Sequence, residues 1–220
     1  TTAGFSIVTY TGNASAGATI GHGLGSTPAV VFVKTRAIAF DWYVYNKNIG
    51  NTKYLEFNTT NAEDTRSGAW NDTSPTSTVI TLGSDDGAND NDTMVAYCFS
   101  EVKGYSKFGS YTANGNADGH FTYTGFRPAW LMIKCTSHSG EWFIVDTTRE
   151  LIQPVGNKYI EANSTAVESS NAGKDIDILS NGFKNRTVTG FHNDPGRTYS
   201  YYAFAEAPMV ASNNIIGLAR

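Results

Sequence analysis

Short apolar runs broken by turn residues extend along the whole chain. Segments rich in Val, Ile, Phe, Tyr, Trp and Thr alternate with clusters of Gly, Asn, Asp and Ser, the pattern of strands and hairpin turns rather than of helices. It predicts strands near 5–11, 28–36, 41–46, 53–59, 78–83 and 93–102. Further strands are expected near 107–113, 119–124, 128–136, 141–146, 158–163, 176–179, 182–188 and 198–206. One short helical turn is expected over Thr147–Gln153, stopped by Pro154. Pro28–Lys34 lacks polar alternation, as a central strand covered on both faces would. The spacing suits antiparallel sandwiches of jelly-roll or related type, so the expected class is all-β.

The pattern occurs twice. Pro28-Ala29-Val30-Val31-Phe32-Val33-Lys34 returns as Pro128-Ala129-Trp130-Leu131-Met132-Ile133-Lys134, followed at equal distance by Asp41-Trp42 and Glu141-Trp142. Lys53-Tyr54-Leu55-Glu56 matches Lys158-Tyr159-Ile160-Glu161, and Tyr97-Cys98-Phe99-Ser100-Glu101 matches Tyr202-Ala203-Phe204-Ala205-Glu206. Two tandem β-sandwich repeats are therefore expected, over 1–104 and 105–208, with a C-terminal tail at 209–220. The joining segment 103–110 is too short and too aromatic for a free linker, so the halves are expected to pack together. Lys34 is expected to face Asp41 across a hairpin, and Lys134 to face Glu141, as register-setting ion pairs.

Composition narrows the function classes. With 40% hydrophobic residues, 12 Phe, 12 Tyr and 4 Trp, disorder is excluded. A net charge of −4 with no basic run disfavours nucleic-acid binding, and no apolar stretch approaches the roughly 18 residues of a membrane span. Thr1-Thr2-Ala3-Gly4 opens without Met and reads as processed or, preferably, as part of a longer polypeptide. Cys98 and Cys135 occupy non-equivalent places in the repeats, which favours free buried thiols over a disulfide between the halves. Asn-x-Ser/Thr sequons at Asn13, Asn58, Asn71, Asn91, Asn163 and Asn185 are compatible with secretion but also with composition alone.

Candidate chemistry is sparse. His22, His120, His138 and His192 show no zinc-ligand spacing, and His22 sits in a glycine-rich loop followed by a strand, not the helix a phosphate loop requires. Asp85, Asp86, Asp90 and Asp92 supply oxygen ligands for a surface Ca2+, with a solvated loop as the alternative; no other cofactor is expected. Asn114–Gly119 mimics half of a calcium loop and lacks the closing Glu. No Gly-x-Ser-x-Gly elbow occurs, and Glu56 with Glu161 or Glu101 with Glu206 are repeat equivalents better suited to structure than to glycoside hydrolysis. Trp70, with Asn71 and Asp72, sits in a polar loop that the second half lacks. It reads either as a ring folded back over the sandwich end or as a stacking platform for sugar.

Several phrases carry a resemblance. Gly4-Phe5-Ser6-Ile7-Val8-Thr9-Tyr10-Thr11-Gly12-Asn13, His22-Gly23-Leu24-Gly25, Tyr105-Ser106-Lys107-Phe108-Gly109-Ser110-Tyr111 and Leu179-Ser180-Asn181-Gly182-Phe183-Lys184 are similar to a tandem-repeat module of tailed-phage virion proteins. The likeness covers about residues 4 to 208 and departs at the longer, apolar tail. It implies a virion component with no catalytic residues to transfer. The expected function is a non-enzymatic tail-associated structural protein, in the fibre or adsorption apparatus, that is homo-oligomeric with a trimer favoured. It would contact other virion proteins and a host-surface glycan, without nucleic-acid binding or membrane insertion. The alternatives are a capsid decoration protein and a secreted carbohydrate-binding or glycan-cleaving module.

Overall fold

Val30–Lys34 and Pro128–Lys134 lie inside two antiparallel sheets, as their unbroken apolar character requires. A computed structural model of the chain describes residues 4–149, 155–156, 158–188, 190 and 192–206. It divides between Glu101 and Val102 into two all-β units.

In the first unit the elements run β1 (Phe5–Thr11), β2 (Ala18–Gly21), β3 (Val30–Thr35), β4 (Tyr43–Asn46), β5 (Lys53–Glu56), β6 (Asp64–Thr65), α1 (Ser67–Trp70), β7 (Val79–Leu82), α2 (Asp86–Asn89) and β8 (Thr93–Phe99). Six strands form one sheet in the order β1-β8-β3-β4-β5-β6, and β2 pairs with β7 in a second layer. Val31, Val33, Tyr43, Tyr45, Met94, Ala96 and Cys98 from the large sheet meet Leu24, Ile80, Leu82, Ala69 and Trp70 in a single core. Burial of this apolar surface is the main driving force for closing the sandwich.

The second unit repeats the plan with β9 (Ser106–Thr112), β10 (Phe121–Tyr123), β11 (Pro128–Cys135), β12 (Trp142–Asp146), β13 (Val155–Gly156), β14 (Lys158–Glu161), β15 (Ser169–Ser170), β16 (Ile176–Leu179), β17 (Gly182–Asn185) and β18 (Thr198–Ala205). Its large sheet runs β15-β14-β12-β11-β18-β9, and its second layer is enlarged to β10-β17-β16-β13. Leu131, Ile133, Phe143, Val145, Tyr199 and Tyr201 pack there against Ile176, Ile178 and Phe183. Both thiols are free and buried; burial pushes the Cys98 thiol up to about 12.

Strands of four or more residues fall close to the expected spans, but β2 and the two-residue strands were not anticipated. Two residues carry no periodic signal, and Ala18-Thr19-Ile20-Gly21 holds only two β-formers, bounded by Ala and Gly. Only Thr147–Arg149 of the expected helical turn is described, as turn structure; the rest of that segment and the tail lie outside the described residues.

Trp42, half-buried, and Trp142, fully buried, lie on the face of each large sheet opposite the main core cluster, within a row of rings. Trp42 stands 6.0 Å from Tyr97, and Phe32 stands 5.1 Å from Phe57 and 6.1 Å from Phe99. In the second unit Trp142 stands 5.7 Å from Tyr202, and Phe108 contacts Tyr202 and Phe204.

The expected lysine-to-acid register takes a different form. Lys134 stands opposite Trp142, one residue beyond Glu141. Glu141 precedes the strand and so lies outside the ladder that Lys134 joins. Lys134 Nζ instead donates to the Gly140 carbonyl at 2.6 Å, and Lys34 donates to the Phe40 carbonyl. The acids bind asparagines. Asn58 Nδ2 donates to Asp41 Oδ1 at 2.7 Å while its Oδ1 accepts from the Trp42 amide at 2.8 Å. Asn163 does the same for Glu141, at 2.5 Å, and for the Trp142 amide, at 2.8 Å. Burial pulls the Lys134 ammonium down to about 8, opposed by the nearby Cys135 and Glu141.

Candidate functional site

Of the two readings of the Trp70 loop, the ring folded back over the sandwich is the one the structure shows. Ser67–Trp70 makes one helical turn, and Trp70 is only 1% exposed. Its Nε1 donates to the Lys53 carbonyl at 3.1 Å, and its ring meets Tyr45 edge-on at 5.8 Å. Asn71 and Asp72 both adopt positive φ, at 50° and 47°, and reverse the chain beside the Trp. Their polarity serves that reversal, since Asn and Asp tolerate left-handed backbone. Asn71 N donates to Ser67 O at 2.8 Å, and the Asp72 carbonyl accepts from Asn51 Nδ2 at 2.7 Å. Trp70 is therefore a core anchor, and Asn71 and Asp72 are the exposed turn beside it. The helix passes close over Gly83, where a Cβ would lie 1.9 Å from the Gly68 carbonyl oxygen.

Asp85, Asp86, Asp90 and Asp92 do not converge on a cation. Among the described residues no group of three or more His, Cys, Asp or Glu side chains is placed to hold a metal. Asp85 is engaged by the protein: Oδ1 caps α2 through the Gly87 amide at 3.2 Å and accepts from Tyr43 Oη at 3.1 Å, while Oδ2 pairs with Arg66 Nε at 2.7 Å. Arg66 Nη1 also donates to Tyr43 Oη at 2.9 Å. Burial first, and then the Asp85 carboxylate, raises the Tyr43 hydroxyl well above the usual phenol range. Asp92 Oδ1 accepts from the Thr93 amide at 2.6 Å, and Asp86 is exposed. Through Asp85 this run caps a helix and ties it to the sheet.

The residue that organises the acidic loop is Asn89, which the sequence reading passed over. It is fully buried, donates to the Gly83 carbonyl at 2.8 Å and the Ser15 carbonyl at 3.1 Å, and accepts from the Asn13 amide at 2.9 Å. Beside it, Tyr10 Oη donates to the Ala88 carbonyl at 2.6 Å. The second unit repeats the device: Tyr111 Oη donates to the His192 carbonyl at 2.6 Å, and buried Asn193 donates to the Asn116 and Thr187 carbonyls at 3.0 and 2.5 Å. A detectable signal did exist, because Tyr10-Thr11-Gly12-Asn13 recurs as Tyr111-Thr112-Ala113-Asn114 and Asn89-Asp90 recurs as Asn193-Asp194.

The histidines stay apart. His22 closes its glycine loop, with Nδ1 accepting from the Leu24 amide at 3.2 Å and Nε2 near the Thr76 carbonyl at 3.2 Å. His192 is fully buried between Asn185 Oδ1 at 3.1 Å and the Lys174 carbonyl at 3.2 Å. Desolvation pulls it down to about 4. His120 stacks on Tyr111, and His138 meets Ser137 Oγ.

Three of the paired glutamates, Glu56, Glu101 and Glu206, are fastenings as well. Glu101 binds Lys47 at 2.9 Å and Glu206 binds Arg127 at 3.0 Å, each within its own unit. Glu56 accepts from Tyr54 Oη, Thr59 Oγ1 and Asn61 Nδ2 at 3.3, 3.0 and 2.8 Å. It borders an open hollow of about 250 Å3 with Asn61, Glu63 and Asp64, where Glu63 is bound by Lys53 at 2.5 Å. Such an arrangement fixes a loop.

Fold and polar network together define a duplicated, hydrogen-bond-fastened β-sandwich protein. The family model described as a domain of unknown function (DUF7483) matches residues 1–208, and the chain belongs to that family. No curated protein and no solved structure matches it. No helix among the described residues is long and apolar enough to cross a membrane.

Proposed function

We propose that the chain is a non-enzymatic structural protein of a tailed-phage virion, tail-associated in the fibre or adsorption apparatus and oligomeric, with a trimer the favoured state. The observation that supports a structural role is how the polar groups are used. Asp85, Asn89 and Asn58 in one unit, and Asn193 and Asn163 in the other, all bind loops or strand ends to the sheets. Loops held in this way open less often, and proteases act on opened segments. That property suits a particle outside the cell. The phrases shared with virion modules of tailed phages support the location.

The test is immunogold labelling of purified particles with an antibody raised against the chain, alongside mass photometry of the isolated protein. Gold on the tail and a trimer in solution support the reading. Gold on the shell would make this a decoration protein, and unlabelled particles would remove it from the virion. Release of reducing ends from host polysaccharides by the pure chain would end the non-enzymatic assignment.

A further inference from the structure

The repeats differ at one structurally matched position in a way that opens a cleft. The segment from Lys34 to Trp42 aligns without gaps to that from Lys134 to Trp142, which places Phe40 against Gly140. The backbones agree, because each lysine donates to the carbonyl of that residue and because Arg36 N and Thr136 N each bind the carbonyl of a matched threonine, Thr93 and Thr198. In the first unit the Phe40 side chain is partly buried against the core, with its ring 5.9 Å from Tyr43. In the second the matched residue, Gly140, carries no side chain. A cleft of about 280 Å3 opens there, lined by Gly140 together with Cys135, Ser139, Lys174, Asp194, Arg197 and Tyr199.

The lining has also changed in charge. Arg197 precedes Thr198 where Asp92 precedes Thr93, so an acid has become a cation. Lys174 adds a second cation, held with Nζ 2.5 Å from Tyr159 Oη and 4.1 Å from the centre of that ring. Asp194 accepts from Arg197 Nη1 at 2.8 Å, and a guanidinium has further N–H groups to offer. Tyr199 Oη accepts from the Asp194 amide at 3.2 Å, so its own proton can be donated. The floor, made by Cys135 and the Tyr199 ring, is apolar and buried.

We propose that this cleft binds one carboxylated sugar ring, such as a uronic-acid residue of a surface polysaccharide. Arg197 takes the carboxylate in the field of Lys174, while Asp194, Ser139 and Tyr199 address ring hydroxyls. Two cations against one carboxylate favour a monoanion. Asp194 disfavours a compact, highly charged anion such as phosphate or sulfate. The volume points the same way: at roughly 30 Å3 per liquid water the cleft holds about nine waters, far more than an inorganic anion fills. The assignment gives the adsorption reading a ligand, and rests on that reading only for where the sugar is found.

The experiment is a 15N-resolved NMR titration of the full chain with methyl galacturonoside, methyl galactoside and sodium sulfate, on the parent and on Gly140→Phe and Arg197→Gln. Gly140 does not have left-handed φ, and a Cβ there lies in contact range of Cys135 Cβ at 3.4 Å, so a Phe can be accommodated as in the first unit. The expected result is saturable millimolar binding of the uronoside, at least tenfold weaker binding of the neutral sugar, and loss in both variants. Equal binding of the two sugars, full competition by sulfate, or unchanged affinity in the variants overturns the proposal. If Gly140→Phe fails to fold, Arg197→Gln decides alone: unchanged uronoside affinity rejects the site. Particle labelling is independent of this outcome, so failure of the cleft and failure of the virion reading are told apart.

Discussion

The two units hold their loops with the same bonds and close their hairpin mouths with different side chains. Tyr10 and Tyr111 reach matched carbonyls, Asn89 and Asn193 pin matched loops, and Asn58 and Asn163 cap matched tryptophan amides. At the hairpin mouth, by contrast, Phe40 packs on the core of one unit and Gly140 lines a cleft in the other. The difference teaches that main-chain fastenings tolerate little variation, because an unmade buried hydrogen bond carries a full desolvation cost. Side-chain volume at the rim is under no such constraint. Specific binding is therefore to be sought where side chains changed around an unchanged backbone.

The largest test of the comparison is Trp70→Ala. The second unit has no counterpart to this ring, so the substitution should cost about 3–5 kcal/mol and act on the first unit alone. Urea denaturation followed by hydrogen exchange should show protection lost in β3, β4 and β7 before β11 and β12. Uniform loss in both units would show that the cores are not independent. A surface role predicts a change near zero.

Acid should separate the units next. His192 is buried where the first unit has Ala88. Its folded value, about 4, lies below its unfolded value of about 6.5, so the unfolded chain binds the extra proton first. Stability from this group is complete above about pH 6.5 and is lost as pH falls through 4. The change is on the order of 3 kcal/mol. Comparing urea midpoints of the parent and His192→Gln between pH 7 and pH 4 isolates it. The parent should lose markedly more than the variant, and parallel profiles would show that His192 is accommodated without that shift.

These two sites also show what the sequence could reveal. Alternation and turn residues were enough for the long strands, because a one-residue slip would turn Val31 and Val33 away from the core. Trp70 kept two readings open because Asn71 and Asp72 resemble a binding surface, although their polarity belongs to a left-handed turn. The acidic run looked like a calcium loop because composition does not reveal that Asp85 faces Arg66. Asn89 was hidden among similar polar residues, and only its recurrence as Asn193 distinguished it. The Phe40 to Gly140 change was visible in the aligned repeats. That it empties a cleft depends on which side chains surround it, which is a tertiary fact.

Loss of the loop-pinning asparagines comes next in size. Asn89→Ala removes donors to two carbonyls and an acceptor for the Asn13 amide, so about 2 kcal/mol is expected. Asn193→Ala should cost less, because Asn193 Oδ1 has no partner among the described residues and only its donor contacts are lost. Thermal melts of the two variants test that order. An equal loss would mean that the Asn193 oxygen is satisfied in solution, for instance by a bound water.

The smallest effect gives the sharpest comparison. Asn58→Ala and Asn163→Ala each remove one cap to a tryptophan amide and one bond to an acid, in geometries that differ by no more than about 0.2 Å between the units. Asn58 is exposed and Asn163 half-buried. If hydrogen-bond geometry alone set the cost, both would lose about 1 kcal/mol. Burial adds desolvation of the orphaned Trp142 amide and Glu141 carboxylate, so Asn163→Ala should exceed Asn58→Ala by a few tenths of a kcal/mol. Restoring the amide as Asn163→Gln should not recover the difference, because the longer side chain cannot serve both partners in the same position. Equal losses would show that the exposed copy of this fastening is as dry as the buried one, and that the units differ only at the cleft.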